Sequence, residues 1–289
     1  MPGASHPLLR GLVDDAALFP PGNAPMAEAL REHEEMSDEP WAEVMGLFVC
    51  PASRADELLA TRRPWGSVLA SVVADTTAAA ALTAVRTLKA AGRSLPLGLE
   101  APLSRLGADA APLAHEVRDP TLLPLTGYLE VPRDDIAAGL DLVGADGWHC
   151  AKYRTGGEVQ EAFPTEDELA RFIAACVDQG KAFKLTAGLH HAVRNTTAEG
   201  FEQHGVLNVL VAVYGAIADR RAGRPADQDE AADTLDDRDG ARLAKEVRSW
   251  TRAEATAVRR TFRSFGCCGV REPIDELSAL SVLEDDEDR

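Results

Sequence analysis

Two lysines interrupt apolar runs of this chain at matching places. Lys152 lies in Cys150-Ala151-Lys152-Tyr153-Arg154-Thr155-Gly156-Gly157, and Lys184 in Phe183-Lys184-Leu185-Thr186-Ala187-Gly188. Each is followed closely by a glycine break. A single lysine of this kind reads as an outward side chain that lays its methylenes on apolar surface and keeps its ammonium in water. A pair at the same place in consecutive segments points instead to one shared cavity. Two ammonium groups there repel, and burial penalises the charged form of each, so both effects are expected to lower the pKa. A lysine that is partly free amine is the nucleophile for Schiff-base formation with a carbonyl compound. The iminium is then an electron sink for carbon–carbon cleavage or for proton loss at the adjoining carbon, so no cofactor is expected.

Other reactive side chains recur just after apolar runs: Asp14 and Asp15, Cys50, Asp75, Glu100, Glu130, Arg154, His190 and His191, Cys267 and Cys268. Arg154 offers a permanent cation or a bidentate clamp for a carboxylate or phosphate. Residues 189–194 add the imidazoles of His190 and His191 and the guanidinium of Arg194 to the expected substrate-binding set. A second reading is a metal-dependent lyase or hydrolase built on His190, His191 and His204 with Asp14, Asp15, Glu100 or Glu130. Adjacent residues of an extended chain face opposite ways, so His190 and His191 share an ion only across a turn. Neither HxH nor HExxH spacing is present. A third reading is a non-catalytic barrel whose cations form an anion-binding pocket. The Cys267-Cys268 pair is read first as small buried packing and second as a reactive thiolate near the cations.

Eight short apolar segments place these residues. They centre on residues 11–19, 44–50, 67–74, 95–99, 123–131, 148–153, 182–186 and 264–269, and helical patterns separate them. Thr76 is expected to cap the helix that runs to Leu88, and Thr165 the one that runs to Cys176. The segments show little polar–apolar alternation, the habit of strands buried on both faces in a parallel sheet. Eight such units predict a (β/α)8 barrel spanning 1–289 as a single domain, with reactive groups at the C-terminal ends of the strands. An open doubly wound sheet is the alternative, and no GxGxxG or Walker loop supports it. Helical stretches at 201–220 and 241–261 form an acidic insertion before the last strand.

The chain has 289 residues, 30 Lys and Arg against 47 Asp and Glu, and a net charge of −17. That balance argues against nucleic acid or an anionic membrane as partner. Residues 226–240 carry seven acids and one Arg, and residues 281–289 five acids and one Arg. They read as an acidic loop and an acidic flexible tail. No apolar run is long enough to span a membrane, and residues 1–10 lack a secretory pattern. The five cysteines form no CxxC pair, so a cytoplasmic protein is expected. A homo-oligomer is compatible with all of this.

The segment Lys152-Tyr153-Arg154-Thr155-Gly156, followed by a helix and Phe183-Lys184-Leu185-Thr186-Ala187-Gly188, resembles the paired-lysine strands of deoxyribose-phosphate aldolase and related class I aldolases. Leu12-Val13-Asp14-Asp15-Ala16-Ala17-Leu18 is similar to that family's first strand, and Phe48-Val49-Cys50-Pro51 to its second. Phe265-Gly266-Cys267-Cys268-Gly269 is similar to its last. The resemblance implies a Schiff base on Lys152, with Lys184 lowering its pKa and moving protons. It implies a proton shuttle through water at Glu100, shared with Asp14 or Asp15, of which Asp15 is the candidate taken. It also implies substrate contacts from Thr155, Gly156, Gly157, Gly188, Gly266, Cys267 and Cys268. The chain departs from the family at Tyr153 and Arg154, which stand for small residues. It departs again at Cys267-Cys268, which stand for hydroxyl residues, and at Ala187. These departures direct the expectation to another small anionic carbonyl compound, a sugar phosphate or keto acid, rather than to deoxyribose 5-phosphate.

Overall fold

Parallel strands from Val13 to Cys267 close on themselves in a computed structural model that describes residues 7–61, 67–92, 94–122, 124–144 and 147–283. The strands are β1 (Val13–Asp15), β2 (Met45–Pro51), β3 (Val68–Val73), β4 (Ser94–Pro102), β5 (Thr126–Glu130), β6 (Cys150–Arg154) and β7 (Phe183–Thr186). A two-residue ribbon follows, β8 (Asn195–Thr196) with β9 (Glu202–Gln203), and then β10 (Phe262–Cys267). The barrel order is β1-β10-β7-β6-β5-β4-β3-β2, every pair parallel. This is the expected (β/α)8 barrel, with helices around the sheet.

Side-chain period sorts the residues. Outward positions pack on the helices: Tyr153 stacks on Phe172 at 4.4 Å between ring centroids, and Phe183 meets the same ring edge-on at 5.2 Å. Inward positions on β1, β4, β5, β6 and β7 carry Asp14, Glu100, Tyr128, Lys152 and Lys184. One wall is apolar and the other holds charge, so the strands lack a polar outer face and read as continuous apolar runs. Glycines make room for the polar contents. A Cβ at Gly46 would collide with the Asp14 carboxylate, and one at Gly98 with the Ser71 hydroxyl.

Helix starts follow local capping. Thr165 and Thr251 each form a reciprocal capping box, with Glu168 and Glu254. The Thr251 box, after extended Trp250, splits the expected 241–261 helix into Gly240–Ser249 and Arg252–Thr261. Thr77, not Thr76, caps Ala78–Ala91 by accepting the amide of Ala80. The expected acidic loop at 226–240 is largely a helix, Gln228–Asp236. Asp227 accepts the amides of Asp229 and Glu230, and Ala231 and Leu235, four apart, bury one face. Of the expected acidic tail, residues 284–289 lie outside the described residues, as do residues 1–6. Helix Val206–Arg221 is buried almost all round from Val206 to Val213, because the barrel lies on one side and the insertion helices on the other. No helix among the described residues is long and apolar enough to cross a membrane.

Candidate active site

Lys152 and Lys184 are register partners on β6 and β7, so both project inward at one level. Each is almost completely buried, at 3% and 1% exposure. The two amines are joined by a carboxylate. Glu100 Oε2 lies 2.8 Å from Lys152 Nζ, and Glu100 Oε1 accepts from Lys184 Nζ at 2.6 Å. Ser71 Oγ donates to the same Oε1 at 2.7 Å. Lys184 also donates to Asp14 Oδ2 at 2.7 Å, and Ser264 Oγ donates to that oxygen at 2.7 Å. The backbone amide of Leu47 donates to Asp14 Oδ1 at 2.7 Å. Lys152 has a second carboxylate, Glu130 Oε2, at 3.1 Å, and Glu130 Oε1 meets Arg154 Nε at 3.3 Å.

Electrostatics follow from this interleaving. Burial alone would lower the Lys184 ammonium, but Asp14 and Glu100 outweigh it and hold the pKa above the ordinary lysine value. The mutual repulsion expected from the sequence would lower it; the intervening carboxylates reverse the sign. Burial pushes Glu100 up, and Lys152 and Lys184 overcome that and hold it far below the ordinary carboxyl value. Glu130 is likewise pushed up by burial and pulled below its ordinary value by Lys152 and Arg154. Two lysines and Arg154 thus face three carboxylates, and the centre is charge-balanced.

Above the lysines opens a cavity of about 580 Å³ that Lys152, Lys184, Glu100 and Glu130 line together. Arg154, Gly156, Gly157, Gly188, His190, Gly266 and Cys268, all expected to bind substrate, also face it. Arg105 and Asp75 stand at the same wall. Arg105 Nη1 donates to the backbone carbonyl of Asp75 at 2.8 Å, and the Asp75 carboxylate accepts from Ser53. The glycines serve the loops as much as the cavity. A Cβ at Gly156 would stand 2.6 Å from Gly188 Cα, and Gly188 itself has φ +75°, so the loops after β6 and β7 meet through bare backbone.

Five expected residues lie elsewhere. Asp15 faces outward because it neighbours inward Asp14; its carboxylate accepts from Ala17 N at 3.0 Å and pairs with His33 Nδ1 at 2.8 Å. Asp14 is therefore the acid of this strand at the centre. The buried Thr155 hydroxyl donates to the carbonyl of Ala187 and ties the two loops. Cys267 points away from the cavity, and its thiol donates to Gly269 O at 3.3 Å. Burial pushes the thiols of Cys267 and Cys268 above the ordinary value, against the thiolate reading. His191 Nδ1 pairs with Glu276 at 2.6 Å. Arg194 is buried in the insertion among Glu166, Glu202 and Asp236.

The imidazoles of the metal reading do not converge. His190 Nδ1 lies 3.1 Å from Glu272 Oε2, His191 is held by Glu276, and His204 is buried with Nε2 2.9 Å from Pro164 O. Among the described residues no group of three His, Cys, Asp or Glu side chains is arranged to hold a metal ion.

Glu130 and Arg105 complete the cavity wall, and Ser71 and Ser264 hold the carboxylates beneath it. Ser71 and Ser264 are isolated hydroxyls inside apolar strands, the signal that could have placed them. Glu130 is aligned with Lys152 by strand register, which a single sequence does not display. Fold and site together define a (β/α)8 barrel with a buried lysine–carboxylate centre under an open cavity. In comparisons with known proteins, no family model and no curated protein sequence matches the chain.

Proposed function

We propose that this barrel is a Schiff-base-forming lyase, of the aldolase kind, acting on a small anionic carbonyl compound. The observation that carries the reading is the Glu100 carboxylate held between two buried lysine amines on the floor of the cavity. The resemblance of the Lys152 and Lys184 segments to the class I aldolases supports the same reading.

Lys152 is the nucleophile. It lies beside two carboxylates, Glu100 and Glu130, either of which can accept a proton from its ammonium. The freed amine adds to the substrate carbonyl carbon, the carbonyl oxygen takes a proton, and loss of water leaves the iminium. Carbon–carbon cleavage or proton loss next to that carbon then delivers an electron pair to the iminium nitrogen. Lys184, held cationic by Asp14 and Glu100, keeps positive charge under the reacting atoms and fixes the Glu100 carboxylate in place. Glu100 is the group through which protons pass between the amines.

Borohydride reduction tests the reading. With a carbonyl substrate present, a stable adduct is expected on the peptide that holds Lys152, with loss of turnover. Adduct on other lysines only, or turnover that survives in Lys152→Met, would overturn it. A barrel that merely binds anions would leave no adduct.

A further inference from the structure

Glu130 stands between two cations of one strand. Its Oε2 lies 3.1 Å from Lys152 Nζ and its Oε1 3.3 Å from Arg154 Nε. Lys152 and Arg154 are two residues apart on β6, so they face the same way, about 6–7 Å apart along the strand. Lys152 is sealed at the floor, whereas the Arg154 side chain is 51% exposed at the mouth. The Nη groups of Arg154 make no hydrogen bond among the described residues, so its fork has donors to spare at the cavity. Burial pushes the Glu130 carboxyl up, and only the grip of Lys152 and Arg154 holds it down. Loosening one cation therefore returns proton affinity to this carboxylate.

We propose that the substrate's own anionic group switches on the nucleophile: it draws the Arg154 guanidinium away from Glu130, and the released carboxylate takes the proton of Lys152. The proposal rests on the Schiff-base reading and deepens it. The ammonium proton passes from Lys152 Nζ to Glu130 Oε2. The nitrogen lone pair forms the bond to the carbonyl carbon, and the C–O π pair moves to oxygen. Glu130 returns the proton to that oxygen, which leaves as water together with the second amine proton, and the iminium keeps the remaining proton. Charge is conserved: an ammonium and a carbonyl give an iminium and water.

Geometry also sets the substrate class. Arg154 is the next inward residue above Lys152, so the anion is carried several bonds from the carbonyl. A phosphate ester or a terminal carboxylate meets that requirement. Before an anion arrives, the paired Glu130 slows the reaction of Lys152 with neutral aldehydes.

Splitting the substrate into two pieces tests the coupling. Acetaldehyde and cyanoborohydride are added to the whole protein, and adduct at Lys152 is followed by mass spectrometry. Inorganic phosphate, formate or chloride is added at equal ionic strength, which holds general screening constant. Phosphate or formate, whichever matches the substrate's anion, is expected to speed adduct formation about tenfold over chloride, the scale of one charge-assisted hydrogen bond. Arg154→Met is expected to form adduct quickly without any anion and to lose the response, whereas Glu130→Gln is slow throughout. Equal rates in all three salts, or an anion response that survives in Arg154→Met, would overturn the coupling while leaving the lysine chemistry standing. No adduct under any condition would overturn the Schiff-base reading, and the coupling with it.

Discussion

Two regions of this protein bury a cation among several carboxylates, and they differ in what reaches the cation. At the barrel floor Lys152 and Lys184 share Asp14, Glu100 and Glu130 under an open cavity. In the insertion Arg194 is held by Glu166, by Glu202 at 3.3 Å and by Asp236 at 3.1 Å. Arg194 Nη1 also lies 3.3 Å from His204 Nδ1, while His204 Nε2 lies 2.9 Å from Pro164 O. Since a carbonyl only accepts, the proton sits on Nε2 and the imidazole is neutral. Asn208 completes the set by accepting the amide of Arg194 and donating to the carbonyls of Thr234 and Asp237. A guanidinium stays charged, and its planar fork suits fixed geometry. An ammonium gives up its proton and becomes a nucleophile. Buried charge therefore carries a catalytic proposal only where the cation can change state and a cavity reaches it.

Substituting each cation should separate the two regions most widely. Lys152→Met is expected to abolish turnover and the borohydride adduct with the circular dichroism spectrum unchanged, whereas Arg194→Met should leave kcat/KM intact. Lys184→Met comes next. It is expected to lower kcat by about 10²- to 10⁴-fold, the usual scale for a group that supports proton transfer. It should also cost about 3–5 kcal/mol of stability, since Asp14 and Glu100 lose their buried partner. Urea unfolding and steady-state kinetics check both parts.

Arg194→Met should cost less, about 1–3 kcal/mol in urea unfolding, because Asp236 and Glu202 reach solvent and rehydrate. A kcat loss as large as that of Lys184→Met would erase the difference between the two regions.

Acidification offers the finest resolution. Burial holds the His204 pKa at about 4, below the ordinary 6.5. Between those values the unfolded chain binds a proton that the folded chain refuses, so stability falls as pH drops from 6.5 toward 4. Glu100 and Glu130 are depressed from 4.5, so their contribution is present above that pH and is lost only as pH falls below it. Melting temperature against pH should thus lose a first increment to His204, with a share from His149, which burial also lowers, and a second to the barrel floor. His204→Gln is expected to shrink the first limb and spare the second.

Much of this was legible in the residues. Apolar runs without alternation gave the parallel barrel, and two lysines at matching places gave the floor of the cavity. What was hidden is three-dimensional. Asp14 and Asp15 differ in sequence by nothing but phase, and strand alternation sends one to Lys184 and the other to His33. The sign of the Lys184 shift depended on carboxylates from β1 and β4, which come together only when the sheet closes. Arg194 looked like a rim residue because it follows β7 closely, yet the ribbon β8–β9 and helix Gln228–Asp236 enclose it. The acidic stretch read as a solvated loop because its charge outweighs its two buried side chains, Ala231 and Leu235, in any composition count.

The contact of Gly156 with Gly188, reinforced by the Thr155 hydroxyl on Ala187, has a bearing on traffic. Two stretches of backbone that touch without intervening side chains have little slack, so this lip of the cavity is a fixed jamb. The wall formed by Phe19, Pro20, Val49 and Arg105 is made of side chains instead, which can rearrange to admit a compound. Size selection belongs to that side, and bulk added there should slow passage before it disturbs the lysines.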